Sequence, residues 1–269
     1  MSHSTVRVAI NGASGRMGQA LRGLVRANPH LTLARAVINA DSELVGQPVT
    51  TPATPETLCY AANWDAADAL DVVIDFSSPD GLAAALAHCR RQHVALVVGT
   101  TGLSAALEAE LVAASQEIPV LRAANFSLGV AVLTRLLREA AAALSEWDIE
   151  LIEAHHGRKQ DAPSGTALAL GKAAAQARGR ELDDVAAFAR HGHTGARETG
   201  SIGFAVVRGG DIVGEHTALL ATRGERLELT HRATDRAIFA RGALAAAIWL
   251  AGRKPGLYAI DQVLDTHLA

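Results

Sequence analysis

Val6-Arg7-Val8-Ala9-Ile10-Asn11-Gly12-Ala13-Ser14-Gly15-Arg16-Met17-Gly18 is the stretch on which the reading of the fold turns. A short β-branched run from Val6 to Ile10 meets a glycine turn, and a helical pattern follows from Arg16 to Asn28, stopped before Pro29. Glycines at a strand-to-helix turn allow a tight bend and close backbone approach, and the helix start offers free N–H groups to an anion. The spacing G-x-x-G-x-x-G is a variant of the dinucleotide fingerprint, and taken alone it fits a packing turn equally well. Its position between strand and helix points to a bound pyrophosphate, with Gly12, Ala13, Ser14, Gly15, Arg16 and Met17 as the contact residues.

Outward from this unit the same texture repeats. Strands are expected at Leu31 to Ile38, Val72 to Phe76, Ala95 to Val98 and Val120 to Ala123, separated by alanine-rich helical segments. Ser78-Pro79-Asp80 supplies a cap, a first-turn proline and an early acid for one of these helices. Such alternation is the pattern of βαβ units around a parallel sheet. Pro48, Pro52 and Pro55 mark a surface loop.

After Asn125 the pattern changes to a helix from Gly129 to Leu144, a strand from Ile149 to Ala154, a loop, a further helix and three more strand-like runs. Ser201 to Val207, Glu215 to Leu220 and Arg226 to Thr230 are separated by short turns at Gly209-Gly210 and Arg223-Gly224, as antiparallel hairpins permit. An apolar helix, Arg236 to Ala251, is too hydrophobic to stand alone and is expected to pack back on the first domain. The expected architecture is α/β. A Rossmann-like nucleotide domain comprises residues 1–126 and 238–269, and an α+β domain with a mostly antiparallel open sheet comprises residues 127–237.

Composition bounds the function. The chain has 269 residues, 49 % of them hydrophobic, and a formal net charge of -3, so it can bury a large core and has no general electrostatic attraction for nucleic acid or a membrane surface. Cys59 and Cys89 lack the paired spacing of a disulfide framework or zinc site, and no metal is expected. No apolar run approaches the roughly 20 residues that span a bilayer, and the start, Met1-Ser2-His3-Ser4-Thr5, is polar. The expected setting is the cytoplasm.

Two further loops follow strand ends, Gly99-Thr100-Thr101-Gly102 and Ala123-Ala124-Asn125-Phe126, on the sheet edge where α/β proteins bind ligands. Gly99, Thr100, Thr101, Ala123, Ala124, Asn125 and Phe126 are therefore expected near the nicotinamide and its ribose. At the end of the second strand an acid normally accepts the adenosine ribose and selects NAD. Here the strand ends in Val37-Ile38-Asn39, and the first acid is Asp41. Asn39 is the candidate for a ribose hydroxyl. Arg16 and Arg35 are candidates for a 2′-phosphate, with a solvated surface role equally open to Arg35. NADPH or NADH remains the cofactor expectation.

The chemistry concentrates in Glu153-Ala154-His155-His156-Gly157-Arg158-Lys159-Gln160-Asp161-Ala162-Pro163-Ser164-Gly165-Thr166. A strand end delivers two histidines into a loop with Arg158 and Lys159, and Asp161-Ala162-Pro163-Ser164-Gly165-Thr166 then set up a helix whose N–H groups form a second anion site. A lone histidine is usually structural and a basic run is usually a solvated face. Together beside a helix start they suit a small substrate bearing carboxylates, with histidine handling a proton. With a hydride donor on the first domain, the expected reaction is reduction of a polarised double bond.

These motifs, with Ala124-Asn125-Phe126-Ser127 and Gly210-Asp211-Ile212-Val213-Gly214-Glu215-His216, run through nearly the whole chain. They resemble the 4-hydroxy-tetrahydrodipicolinate reductase (dihydrodipicolinate reductase) family of bacterial lysine and diaminopimelate biosynthesis. The resemblance implies a cyclic dicarboxylate reduced at C4 by NADH or NADPH. It makes His155 and Lys159 the catalytic pair, places His156, Ser164, Gly165 and Thr166 on the substrate carboxylate, and implies a homotetramer joined through the second domain's sheet. The chain departs from many relatives at Ile38-Asn39 and at Gly157. The Gly210 to His216 run, despite its acids and histidine, reads as a turn and packing strand.

Two rivals are weighed. A short-chain dehydrogenase needs a tyrosine four residues before a lysine, and neither Tyr60 nor Tyr258 has that partner. A non-catalytic dinucleotide-sensing protein would keep the fold, but the histidine and lysine cluster beside a second anion site tells against it.

Overall fold

A computed structural model describes residues 5–49, 58–65 and 69–267. The segment 1–4 at the polar start, and Pro52 and Pro55 of the proline loop, lie outside the described residues. In chain order the elements begin with β1 (Val6–Asn11), α1 (Arg16–Ala27), β2 (Leu31–Val37), β3 (Tyr60–Ala61), β4 (Val72–Asp75) and α2 (Pro79–Gln92). They continue with β5 (Ala95–Val98), α3 (Ala105–Ala114), β6 (Pro119–Arg122), α4 (Leu128–Ala143), β7 (Asp148–His155), α5 (Gly165–Ala177) and the short α6 (Leu182–Val185). The last are β8 (Ala186–Ala187), β9 (Ile202–Arg208), β10 (Gly214–Thr222), β11 (Glu225–Ala233), α7 (Ala237–Leu250), β12 (Gly256–Tyr258) and a 3-10 helix, Ile260–His267. The chain divides into two compact units with boundaries at Leu128/Gly129 and Arg236/Ala237, the C-terminal segment belonging to the first.

The first unit holds a sheet in the order β12-β6-β5-β4-β1-β2-β3, and every ladder in it is parallel. Strand order reverses between β1 and β4, which is the switch point where such sheets open a crevice at the strand C-termini. The strands read as continuous apolar runs because both faces are covered. Val8, Ile10, Val72, Ile74 and Val97 face a layer containing α1 and α7, and Ala9, Val73, Leu96 and Val98 face one containing α2 and α3. Each fully buried side chain of this size contributes about 1.5–3 kcal/mol.

The apolar helix α7 packs against α1 and across β4, β5 and β6. It can lie that close because Gly242 faces the Phe126 carbonyl, where a Cβ would collide with the oxygen. The beginning of α2 follows its sequence signals: Ser78 caps it, accepting from the Gly81 N–H at 3.2 Å, with Pro79 at the first position.

The second unit has a mixed sheet in the order β11-β10-β7-β9-β8, the long β10 ladders being antiparallel. One expectation is corrected here. Gly209-Gly210 does not close a hairpin, because β9 pairs with β7 in parallel, after a crossover through α5 and α6, and β10 returns antiparallel on the other edge of β7. The segment after Arg208 therefore steps across the end of β7 rather than folding back. Only Arg223-Gly224 makes a hairpin turn, with Gly224 at φ +91° and Thr222 opposite Glu225.

Replacing glycine by alanine inside a helix ordinarily stabilises it by about 1 kcal/mol. Gly242→Ala should reverse that sign and destabilise by about 1–3 kcal/mol through overpacking against Phe126, read as a lowered melting temperature. Gly23, with open space around its Cβ position in α1, is the control and should be neutral or stabilising.

Candidate functional site

The loops at the C-terminal edge of the first sheet are shaped by backbone contact. Gly12 has φ +81°, and a Cβ there would run into the Phe76 carbonyl; one on Gly18 would strike the Gly12 carbonyl. The Gly12 and Ala13 N–H groups both donate to Val37 O at 3.0 Å, which pins the turn to β2. Gly15 is the N-cap of α1 and offers no side-chain acceptor, and Arg16 is exposed on the first turn. An uncapped twelve-residue helix at a glycine turn fits the pyrophosphate of a dinucleotide.

Beneath these loops lies a polar cluster that sequence reasoning did not anticipate. Asp75, at the end of β4, is fully buried. Its carboxylate accepts from Asn11 Nδ2 at 2.7 Å, Ser77 Oγ at 2.6 Å and Thr100 Oγ1 at 2.5 Å, while Thr100 Oγ1 accepts from the Ser77 N–H at 3.0 Å. Burial pushes the Asp75 carboxyl above its ordinary range, against the lowering effect of its donors. The cluster ties the ends of β1, β4 and β5 together. A tripeptide Asp-Phe-Ser closing a run of valine and isoleucine was its available signal.

The expected nucleotide residues divide accordingly. Gly12, Ser14, Gly15, Arg16, Met17, Asn39, Gly99, Thr101, Ala123, Ala124 and Asn125 are at least partly accessible. Ala13, Thr100 and Phe126 are buried: Thr100 spends its hydroxyl on Asp75, and the Phe126 ring lies 5.3 Å from that of Phe76. Asn39 is exposed, and its Oδ1 accepts from the Asp41 N–H at 3.1 Å. Arg35 is not on the surface. It is buried in β2, with Nε and Nη2 donating to the Asn63 carbonyl, so the solvated role is corrected and its guanidinium is committed to the fold.

In the second unit the site is built around Glu153, a β7 residue only 1 % exposed. Arg208, the last residue of β9, grips it with two parallel bonds, Nη1 to Oε2 and Nη2 to Oε1, both 2.7 Å. Oε1 also accepts from the Ser164 N–H at 2.9 Å, and Oε2 lies 2.6 Å from His155 Nδ1. Burial works to raise the Glu153 carboxyl, but the Arg208, His155 and Ser164 donors outweigh it and hold it at about 2. Alternation along β7 explains the arrangement: Glu153 and His155 share one face of the sheet.

Ser164 caps α5, its Oγ accepting from the Ala167 N–H at 3.2 Å, and the same oxygen lies 3.1 Å from His216 Nε2. His216 is buried, with its ring edge-on to His155 at 5.2 Å. Burial and then the nearby His155 hold its pKa down, at about 4. The turn set aside in the sequence reading closes around the histidines. Gly209 N–H donates to His155 O, His156 N–H to Ile212 O and Gly157 N–H to Gly210 O. Gly214 admits the His155 ring, because a Cβ there would sit 3.0 Å from Nε2.

His156 is half-buried; desolvation, then Arg236, Arg158, His155 and Lys159, lower its pKa. Lys159 pairs with Asp161 at 2.8 Å. His155, Ser164 and the α5 N-terminus with Gly165 and Thr166 are thus brought together through Glu153, while Lys159 is held by its own loop. Glu153, Arg208 and His216 were not among the expected site residues. Glu153 is the one with a visible signal, an acid two residues before a histidine on a strand.

The two shifts set a pH dependence of stability. A histidine with a lowered folded pKa leaves the unfolded chain binding the extra proton, so stability should fall as pH drops from about 6.5 to about 4. Glu153 is also depressed, so its contribution is present above about 4.5 and lost toward about 2. Denaturant unfolding across this range should show His216→Gln reducing the slope of the upper segment, to which the lowered His156 and His231 also contribute, and Glu153→Gln reducing chiefly the lower. Parallel curves for wild type and variants would contradict both assignments.

Comparison with known proteins follows the same division. Residues 6–126 match the family described as dihydrodipicolinate reductase, N-terminus, and residues 129–264 match dihydrodipicolinate reductase, C-terminus. The 4-hydroxy-tetrahydrodipicolinate reductase of Pseudomonas fluorescens strain SBW25 is 47 % identical over 266 residues, covering 97 % of this chain and 99 % of the relative. That of strain ATCC BAA-477 / NRRL B-23932 / Pf-5 is 49 % identical over 264 residues, covering 96 % and 98 %. The dipicolinate-bound dihydrodipicolinate reductase from Paenisporosarcina sp. TG-14 shares the fold, with a TM-score of 0.79 at 24 % identity over 96 % of this chain and 99 % of its own. The chain belongs to the dihydrodipicolinate reductase family.

Proposed function

We propose that this chain reduces 4-hydroxy-tetrahydrodipicolinate, or the dihydrodipicolinate formed from it, to tetrahydrodipicolinate in the diaminopimelate route to lysine. The observation that carries the reading is the Glu153 carboxylate, which ties a buried histidine to an anion-binding helix start within a full-length family match. NAD(P)H, held by the Gly12 turn and the loops after β5 and β6, would supply the hydride for C4 of the substrate. The first unit is the dinucleotide domain, with the pyrophosphate on the Gly12 turn and the α1 N-terminus. The loops after β5 and β6, including Gly99, Thr101, Ala124 and Asn125, accept the nicotinamide end through backbone groups.

The second unit takes the dicarboxylate. The N–H groups of Gly165 and Thr166 and the side chain of His156 hold a carboxylate, in surroundings made positive by Arg158, Lys159 and Arg236. His155 handles the proton at Nε2 and Lys159 assists by charge. The rival reading as a short-chain dehydrogenase finds no support in the tyrosines: Tyr60 is buried in the core and Tyr258 donates to Lys254 O. The non-catalytic reading leaves the Glu153 and His155 arrangement without a use. The same proposal carries a cytoplasmic setting and a homotetramer through the second sheet, on which Ile152, Val206, Val207 and Leu227 are exposed. Among the described residues no helix is long and apolar enough to cross a membrane.

Cofactor choice follows from the β2 end. Asn39 brings no charge to repel a 2′-phosphate and retains an amide for a ribose hydroxyl; with Arg35 committed elsewhere, Arg16 is the cation at that edge. Both cofactors should serve.

The decisive assay mixes purified protein with NADPH or NADH and freshly generated substrate and follows cofactor oxidation. His155→Gln should lower kcat by about 100-fold with a smaller change in KM, and Lys159→Ala should weaken charge stabilisation of the dicarboxylate. Failure of the wild type to oxidise either cofactor would reject the enzyme, and wild-type turnover in both variants would reject the roles. A strong bias to NADH in binding titrations would count against dual use.

A further inference from the structure

We propose that Glu153, clamped by Arg208, is a positioning residue: it fixes the Nδ1–H tautomer of His155, so that Nε2 is the atom offered for proton exchange, and locks that ring to the Ser164 turn.

The geometry leaves the carboxylate little choice. Both oxygens are engaged by Arg208 in a two-bond clamp, and each takes one further partner: Ser164 N–H on Oε1, His155 Nδ1 on Oε2. Arg208 and the backbone amide can only donate, so the carboxylate is the acceptor throughout and His155 Nδ1 must carry the proton. Arg208 is itself oriented by Nη2 donating to Asp161 O at 2.8 Å and Nη1 to Val207 O at 2.8 Å. Two β-strands and the loop between His155 and Ser164 therefore meet on one side chain.

At Nε2 the surroundings are different. Among the described residues this nitrogen takes no hydrogen bond, and it lies over Gly214, the residue that opens β10. The ring's other neighbour, His216, is held neutral by burial and points its Nε2 at Ser164 Oγ rather than at His155. His155 therefore has one nitrogen committed to Glu153 and one free to take or give a proton. When Nε2 takes a proton, the carboxylate beside Nδ1 stabilises the imidazolium; when Nε2 gives it up, the Nδ1–H bond keeps the ring from rotating.

The catalytic consequence rests on the reductase reading, whereas the tautomer does not, so the two are measured separately. Nitrogen-15 correlation spectra of histidine-labelled protein, with His155 assigned through His155→Gln, should show the Nδ1–H tautomer in the free wild type near neutral pH. Finding Nε2–H instead would overturn the proposal, whatever the activity. Glu153→Gln preserves the side-chain volume and, with its oxygen toward the Ser164 N–H, presents an NH2 donor to Nδ1, so the His155 signal should shift toward the Nε2–H tautomer. In the assay it should lower kcat by about 100-fold, the lower end of what a positioned acid–base group contributes, with KM for the dicarboxylate within about threefold. Equal loss in both parameters, or an unchanged tautomer in a folded variant, would reduce Glu153 to a structural ion pair and overturn the proposal. If Glu153→Gln does not fold, the wild-type tautomer still decides. A wild-type protein with the Nδ1–H tautomer but no reductase activity would support the positioning and defeat the functional reading.

Discussion

The ion pair between buried Glu153 and partly exposed Arg208 is the interaction on which the second unit's site depends. Removing the carboxylate from water costs several kcal/mol, and the cost is offset only where geometry and additional hydrogen bonds are good. Here the guanidinium and carboxylate meet face to face, and the remaining valences of the carboxylate go to a backbone amide and a histidine. Residues far apart in the chain, on β7, β9 and the α5 cap, are held by one side chain. The turn from Gly209 to Gly214 crosses the end of β7 at the same place, so the histidine pair is enclosed by backbone as well as by charge.

The first unit meets its requirement by other means. A dinucleotide needs exposed N–H groups and room for backbone to approach phosphate. The glycine turn supplies both through close backbone packing, Gly12 on Phe76 and Gly18 on Gly12. Behind that surface the Asp75 cluster joins three strand ends, so the loops presented to the ligand share one buried support. Neither unit relies on a flexible surface side chain to shape its anion-binding backbone. Both proposed anion sites are helix starts, and the side chains beneath them keep those starts in place.

Periodicity made the first sheet legible, because βαβ alternation repeats one local rule and the glycine turn marks where it begins. The helix starts at Ser78 and within Asp161 to Thr166 were legible for the same reason: each cap, at Ser78 and Ser164, is a local bond between a hydroxyl and an N–H three residues on. The pairing of β9 was not. Short turns suit a hairpin, but which strand lies beside which depends on the crossover through α5, a long-range choice with no local signature. That error concealed the role of the Gly210 to His216 run, whose meaning comes from lying across β7. The burial of Arg35 was not legible either, because the Asn63 carbonyl that receives it comes from a loop 28 residues further along the chain. Arg208 was invisible for the same reason, since a lone arginine at a strand end says nothing of a partner in another strand.

The reductase proposal assigns the dinucleotide to the Gly12 turn and the dicarboxylate to the α5 start. Running the reaction with NADPH deuterated at both C4 positions and locating the label by NMR tests this most directly. The account predicts one deuterium bonded to C4 of tetrahydrodipicolinate. Product formed with no deuterium on carbon, or label recovered only in solvent, would contradict it.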